Sequence, residues 1–181
     1  MFYFLRHPET TWNIEGLLQG SMEGELTSKS KIQTKKVIKS LSITDVTHIY
    51  HAHNKRTKFV ADLLKKKYPA AIIHVDKRLN ERNCGIYEGM PTENVFSKDK
   101  SNTTSYEKKF EWKPPKGESH KEVSKRTESF IKYLRKEHNL EEVFCITSSG
   151  VIRNLLRTEL NLSLEKMYGL KIKNLELIKL N

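Results

Sequence analysis

Cysteine is almost absent from this chain: Cys84 and Cys145 are the only two in 181 residues. Set far apart, they exclude a disulfide framework and every cysteine-based zinc or redox spacing, and they suit reduced thiols in a cytoplasmic compartment. Proline and glycine number only 5 and 8, and no repeat or long low-complexity tract breaks the chain. No apolar run approaches the length of a membrane span. The first residues enter a strand-like run with neither a basic nor an apolar leader ahead of it, so no secretory signal is expected. Acidic residues are in the minority, 22 against 33 lysines and arginines, for a formal charge of +11. Such a balance suits nucleic acid, an acidic surface or small anions. The lysines scatter along helix-like segments, as at Lys29, Lys31, Lys35, Lys36 and Lys39, and read as a solvated face. No nucleic-acid motif accompanies them, so neither a nucleic-acid nor a membrane partner is expected.

What is present is an alternation. Strand-like runs occur at Phe2–Leu5, Thr47–His51, Ala71–Val75, Val143–Thr147 and Leu175–Leu180. Between them, Thr27 can cap a helix to about Leu41, with a patchy stripe of Ile32, Val37, Ile38 and Leu41. Phe59, Val60, Leu63 and Leu64 mark a second helix that ends at Tyr68-Pro69. A third, startable at Ser119, carries Val123, Thr127, Phe130, Ile131 and Leu134; a fourth carries Val151, Ile152, Leu155 and Leu156. Strands alternating with helices predict an α/β fold, a three-layer α/β/α sandwich with a mostly parallel central sheet. One domain over residues 1–181 is expected, with a partly helical excursion at about 91–117 over the site. That excursion holds Phe96, Tyr106, Phe110 and Trp112 among Lys98, Lys100, Lys108, Lys109, Lys113 and Lys116, lysines that suit an anionic group.

Four stretches put polar or charged residues at the end of a strand-like run or just after it: RHPETTWN, IYHAHNKRTKFVADLL, LNERNCGIYEG and VFCITSSGVIRNLL. In a parallel sheet those ends share one edge, where ligands bind. Together they resemble the histidine phosphatase superfamily, the phosphoglycerate-mutase-like group. Arg6, His7, Glu9, Thr10, Trp12 and Asn13 match its opening Arg-His-Gly followed by Glu-Ser/Thr and Trp-Asn. Gly16, Gln19, Gly20, Glu23, Leu26 and Thr27 fit its next segment, and Arg56 its second arginine. Leu79, Glu81, Gly85, Glu88 and Gly89 fit its acidic loop, and Gly117-Glu118-Ser119 with Arg126 another segment.

The resemblance implies a phosphomonoester hydrolase in which His7 is the nucleophile and becomes a phosphohistidine. Arg6 and Arg56 would grip the phosphoryl oxygens through planar forks, with Asn13 and Ser148 as further phosphate-binding residues. Glu81 would protonate the leaving oxygen and then activate water. The helix beginning near Gly150 would aim its amides at the same anion. Thr10, Gln19 and Gly20 would line the substrate. The substrate is a small phosphorylated molecule, and neither cofactor nor metal is implied. A hydrolase fits better than a mutase, since the family's mutases are longer.

The pattern breaks in one important place. Where the family reads Ser-His-Gly-Gly, this chain has Thr147, Ser148, Ser149 and Gly150, so Ser148 stands at the second catalytic histidine. Losing a preorganised donor of this kind costs roughly a hundred- to a thousandfold in rate. Reduced activity is therefore expected, and the alternative is a pseudophosphatase that binds a phosphorylated ligand or partner without turnover. Pro8 replaces the usual glycine and stiffens the turn after His7. His51-x-His53 makes a weak metal pair without a third ligand, and His53 is expected near the pocket rim.

Overall fold

Phe2 and Phe4 point to one face of the first strand and Tyr3 and Leu5 to the other. All four are buried, so both faces must be covered. The computed structural model describes residues 1–98 and 105–181. In chain order the elements are β1 Phe2–Arg6, α1 Thr11–Ile14, α2 Ser28–Ser40, β2 Val46–His51, α3 Lys55–Lys67 and β3 Ile72–Val75. Then follow α4 Thr92–Lys98, α5 Tyr106–Glu111, α6 His120–Glu137, β4 Glu142–Thr147, α7 Ser149–Glu159, α8 Leu164–Gly169 and β5 Leu177–Leu180.

The strands form one sheet in the order β3-β2-β4-β1-β5. Neighbours are parallel except β5, which closes the β1 edge antiparallel. Phe2, Phe4, Val143 and Cys145 pack on one face under Phe130, Ile131, Leu134, Ile152 and Leu155 of α6 and α7. Tyr3, Leu5, Phe144 and Ile146 pack on the other under Ile38, Val60, Ala61 and Leu64 of α2 and α3. This is the expected three-layer α/β/α sandwich. Among the described residues, no helix is long and apolar enough to cross a membrane.

Two local expectations fail. Ile38 of the expected stripe is buried, but Ile32 is 57% exposed, and α2 turns Ser30 and Thr34 inward beside Ile38. Thr34 Oγ1 spends its proton on the Ser30 carbonyl at 2.7 Å, so a small, self-satisfied hydroxyl packs beside Ile38 while Ile32 faces solvent. The last strand begins at Leu177 and not at Leu175, because Leu175 adopts a φ of 61°, outside strand geometry.

The topology also explains where a site can form. β1 and β4 are central neighbours, yet the chain travels through β2 and β3 between them. Their carboxyl ends are in register, with Arg6 opposite Thr147. The residues just beyond, His7 and Ser148, thus emerge side by side at the crevice where an open parallel sheet binds ligands.

Candidate active site

At the end of β1 the His7 amide donates to the Thr147 carbonyl at 2.9 Å, and the side chain is buried. Its Nδ1 lies 2.8 Å from the Pro8 carbonyl. A carbonyl only accepts, so Nδ1 carries the proton and Nε2 keeps its lone pair. Burial, then the charges of Arg56 and Arg6, hold the imidazole well below its ordinary pKa, which leaves it neutral. Arg6 donates from Nη1 to the Ile172 carbonyl, while among the described residues its buried Nε has no partner.

Arg56 reaches the same place from the first turn of α3, which Asn54 caps. Only 1% exposed, it donates from Nη1 to the Met22 carbonyl at 2.7 Å and from Nη2 to that of Gly20 at 2.9 Å. The Gln19 amide supports it: oriented with its oxygen toward Arg56 Nη1 (3.2 Å) and the Gly24 amide (2.7 Å), it donates to Thr10 Oγ1 at 3.1 Å. The guanidinium is thus clamped by its own loop. Gly20 is required there, since a Cβ would stand 2.1 Å from Glu88 Oε1 and its φ is +51°.

Asn13 turns its Oδ1 to the Thr10 amide at 3.1 Å, which leaves its Nδ2 as a donor for the cavity. Thr10 itself, expected to line the substrate, is fully buried. Its hydroxyl caps α1 in a reciprocal box with Asn13; it holds the loop and does not face the cavity.

Glu81 approaches from the loop after β3. Its Oε1 accepts from the Arg82 amide at 2.8 Å, and its Oε2 from the Gly150 amide at 3.4 Å. Burial raises its pKa, but the Arg82 amide, the charge of Arg153, the nearby Ser148 and Arg56 outweigh it, so the net shift is downward and the free site holds a carboxylate. Ser148 is the N-cap residue of α7 yet makes no capping bond. Among the described residues its buried Oγ has no hydrogen-bond partner, and Ser149 and Gly150 line the cavity while Ser148 does not.

Arg6, His7, Asn13, Gln19, Gly20, Arg56 and Glu81 all line one cavity of about 530 Å³. That is far more room than a phosphoryl group needs and lies in the usual range of small-molecule sites. Among the described residues, five cations (Arg6, Arg56, Arg82, Lys109 and Arg153) and one carboxylate, that of Glu81, line the cavity. The field therefore favours an anionic ligand. Trp112 of the expected excursion lines the cavity, and so do Arg153, His120 and Tyr168, which escaped the sequence reading. Helical spacing signals Arg153, three residues beyond Gly150 on α7. Nothing local signals His120, which comes from α6.

Of the lysines in the excursion, Lys109 reaches the cavity, and Lys113 instead pairs with Glu122 at 2.6 Å. Lys100 and the side chains of Phe96 and Lys98 lie outside the described residues. His51 is buried and donates from Nδ1 to the Ala52 carbonyl at 2.7 Å, while His53 is exposed. Among the described residues, His48, His138 and Glu141 form the one cluster close enough to hold a metal. It lies at the opposite edge of the sheet, and Glu141 Oε2 already accepts from Thr47 Oγ1 at 2.8 Å and lies 2.7 and 3.0 Å from Nδ1 of the two imidazoles.

A family model describing the histidine phosphatase superfamily (branch 1) matches residues 2–181. The chain is 27% identical over 159 residues to phosphoglycerate mutase-like protein 4 of Arabidopsis thaliana, covering 83% of this chain and 67% of that one. It is 28% identical over 134 residues to the Escherichia coli protein named "Probable phosphoglycerate mutase GpmB", covering 74% of this chain and 62% of the relative. Among solved structures, YhfR of Bacillus stearothermophilus superposes with a TM-score of 0.85 at 22% identity, over 99% of this chain and 91% of that one. A mycobacterial glucosyl-3-phosphoglycerate phosphatase gives 0.82 at 20% identity, over 97% and 87%. The α-ribazole phosphatase of Shigella flexneri gives 0.82 at 21%, over 97% and 87%.

Proposed function

The chain belongs to the histidine phosphatase superfamily, and on that premise we propose that it hydrolyses small phosphomonoesters through a phosphohistidine on His7. The observation that carries this reading is the state of His7. Its Nδ1 proton is committed to the Pro8 carbonyl, the ring is held neutral, and the free lone pair on Nε2 stands in a cavity with Arg6 and Arg56. A neutral, oriented imidazole between two guanidinium groups is a nucleophile prepared for a phosphoryl anion.

The steps balance with the groups present. The phosphoryl oxygens settle against Arg6, Arg56 and the Asn13 amide, and their charge raises the Glu81 carboxyl toward protonation. Substrate that arrives as the monoanion supplies that proton. His7 Nε2 bonds to phosphorus in line as the P–O ester bond breaks, and the leaving oxygen takes the proton from Glu81. Water then attacks the phosphohistidine, giving a proton to Glu81; the N–P bond breaks and phosphate leaves. No metal enters this scheme. The two free, buried cysteines support a cytoplasmic location.

Ser148 supports a second reading, a phosphate-binding pseudophosphatase. Its buried hydroxyl has no hydrogen-bond partner among the described residues, and it brings no charge to the transferring group. Rapid-quench labelling by a panel of phosphomonoesters, with and without EDTA, separates the two. The hydrolase reading expects acid-labile phosphoenzyme that disappears in His7→Asn and persists in EDTA. Labelling that survives in His7→Asn overturns the assignment of His7. Phosphate binding without labelling or turnover selects the pseudophosphatase.

A further inference from the structure

A second imidazole lines the same cavity, and none of the steps above uses it. His120 is the first residue of α6, and its backbone is fixed from several sides. Ser119 caps the helix in a reciprocal box with Glu122. Glu118 pairs with Arg126 through both carboxylate oxygens, at 2.8 and 3.0 Å, and its amide donates to the Asn83 carbonyl at 2.8 Å. A side chain on so constrained a backbone is held for a purpose or for packing, and the hydrogen bonds distinguish these.

Asn154 on α7 determines the tautomer. Its Nδ2 donates to the Gly150 carbonyl at 2.8 Å, which can only accept, so the amide nitrogen occupies that side. The same nitrogen lies 3.1 Å from His120 Nδ1, which must therefore accept. The proton of the neutral ring is then on Nε2. Burial, then Arg82 and Arg153, bring the His120 pKa down to about 3, so the ring offers an uncharged N–H at physiological pH. Neither a surplus positive charge nor a general acid is on offer.

The neighbours of His120 differ from those of His7. Tyr168 meets its ring edge-on at 5.4 Å, and among the described residues the buried Tyr168 hydroxyl has no hydrogen-bond partner. Tyr168 in turn stacks on Tyr106 of α5 at 5.8 Å, and Trp112, which ends α5 and stacks on Tyr87 at 6.0 Å, also lines the cavity. One part of the cavity is thus the arginine clamp around His7, and another is an aromatic-walled compartment with two neutral donors, His120 and Tyr168. We propose that this compartment is the leaving-group subsite, in which His120 Nε2–H and Tyr168 O–H bind oxygens of the alcohol half of the substrate. The substrate class is then a phosphomonoester whose alcohol carries further hydroxyl or carboxylate oxygens, in preference to a bare aryl or alkyl phosphate. This rests on the hydrolase reading for its chemistry, but not for its geometry.

The test compares His120→Phe, which keeps the ring and removes the donor, with the unaltered protein. Glucose 6-phosphate and 3-phosphoglycerate serve as oxygen-rich probes, and phenyl phosphate as the probe without further oxygens. For the better oxygen-rich probe, kcat/KM is expected to fall at least tenfold, mostly through KM; for phenyl phosphate it should change less than twofold. Equal losses on both overturn the proposal. A binding measurement covers the case of no turnover: in protein labelled with 15N-histidine, the His120 Nε2 resonance should move with an oxygen-rich ester and stay with inorganic phosphate. A His7 resonance that moves with phosphate reports the clamp separately. If the His120 resonance moves with phosphate alone, or with none of the probes, the subsite assignment is wrong.

Discussion

Gly150 and Glu81 meet so closely that a Cβ on residue 150 would stand 2.3 Å from Glu81 Oε1. The glycine lets the first turn of α7 abut the carboxylate, which the Gly150 amide contacts at 3.4 Å. Gly150→Ala should therefore push Glu81 out of position. Helix propensity favours alanine by up to about 1 kcal/mol, so thermal stability should hold nearly level while kcat falls at least tenfold. Measuring Tm and turnover together checks this; unchanged turnover would remove Glu81 from the chemistry.

Arg56 offers a sharper contrast. Lysine in its place cannot reach both the Met22 and Gly20 carbonyls, so Arg56→Lys leaves buried acceptors unpaired at a cost of about 1–3 kcal/mol. It also removes one fork of the clamp. Urea unfolding should show that loss, and the rise in Tm given by vanadate or phosphate should shrink strongly. Lys66→Ala, on the solvated side of α3, should leave the rise intact. Equal effects would mean diffuse electrostatics.

Ser148→His tests the departure from the family motif. If residue 148 takes the place of the second histidine, an imidazole there should raise turnover, by as much as roughly a hundredfold, mainly in the chemical step. Ser149→His, one residue on, is the register control and should not help. A flat response from a folded, phosphate-binding Ser148→His protein favours the pseudophosphatase.

Acid should destabilise the fold from well above the carboxylate range. His7 and His120 have depressed folded pKa values, His120 about 3 against an ordinary 6.5. Below pH 6.5 the unfolded chain takes up protons that the folded one refuses, so their stabilisation is complete above that pH and drains away as pH falls toward 3. For His120 alone about 2 kcal/mol should be gone at pH 5. Glu81, also depressed, adds its loss below pH 4.5. Chemical unfolding between pH 7 and 5 should show a flatter curve for His120→Phe; a parallel curve contradicts the buried neutral ring.

The sequence by itself determined the layers and much of the clamp. Alternating apolar strand residues and helical spacing are local signals, and Phe2–Leu5 or Phe130–Leu134 express them whatever their surroundings. Arg6, His7, Arg56 and Glu81 were legible through the resemblance of their segments to the family's motifs, and strand-end position in a parallel sheet is consistent with them meeting at one edge. Tertiary structure alone decided the rest. Thr10 reads as a site residue but turns into the loop it caps, and Ile32 reads as core but faces solvent, because burial depends on what packs opposite. His120 shows the limit most clearly. Its tautomer is set by Asn154, and its compartment by Tyr168 and Trp112, residues from separate helices and a loop. No spacing along the chain encodes a hydrogen bond that exists only once α6 and α7 lie side by side.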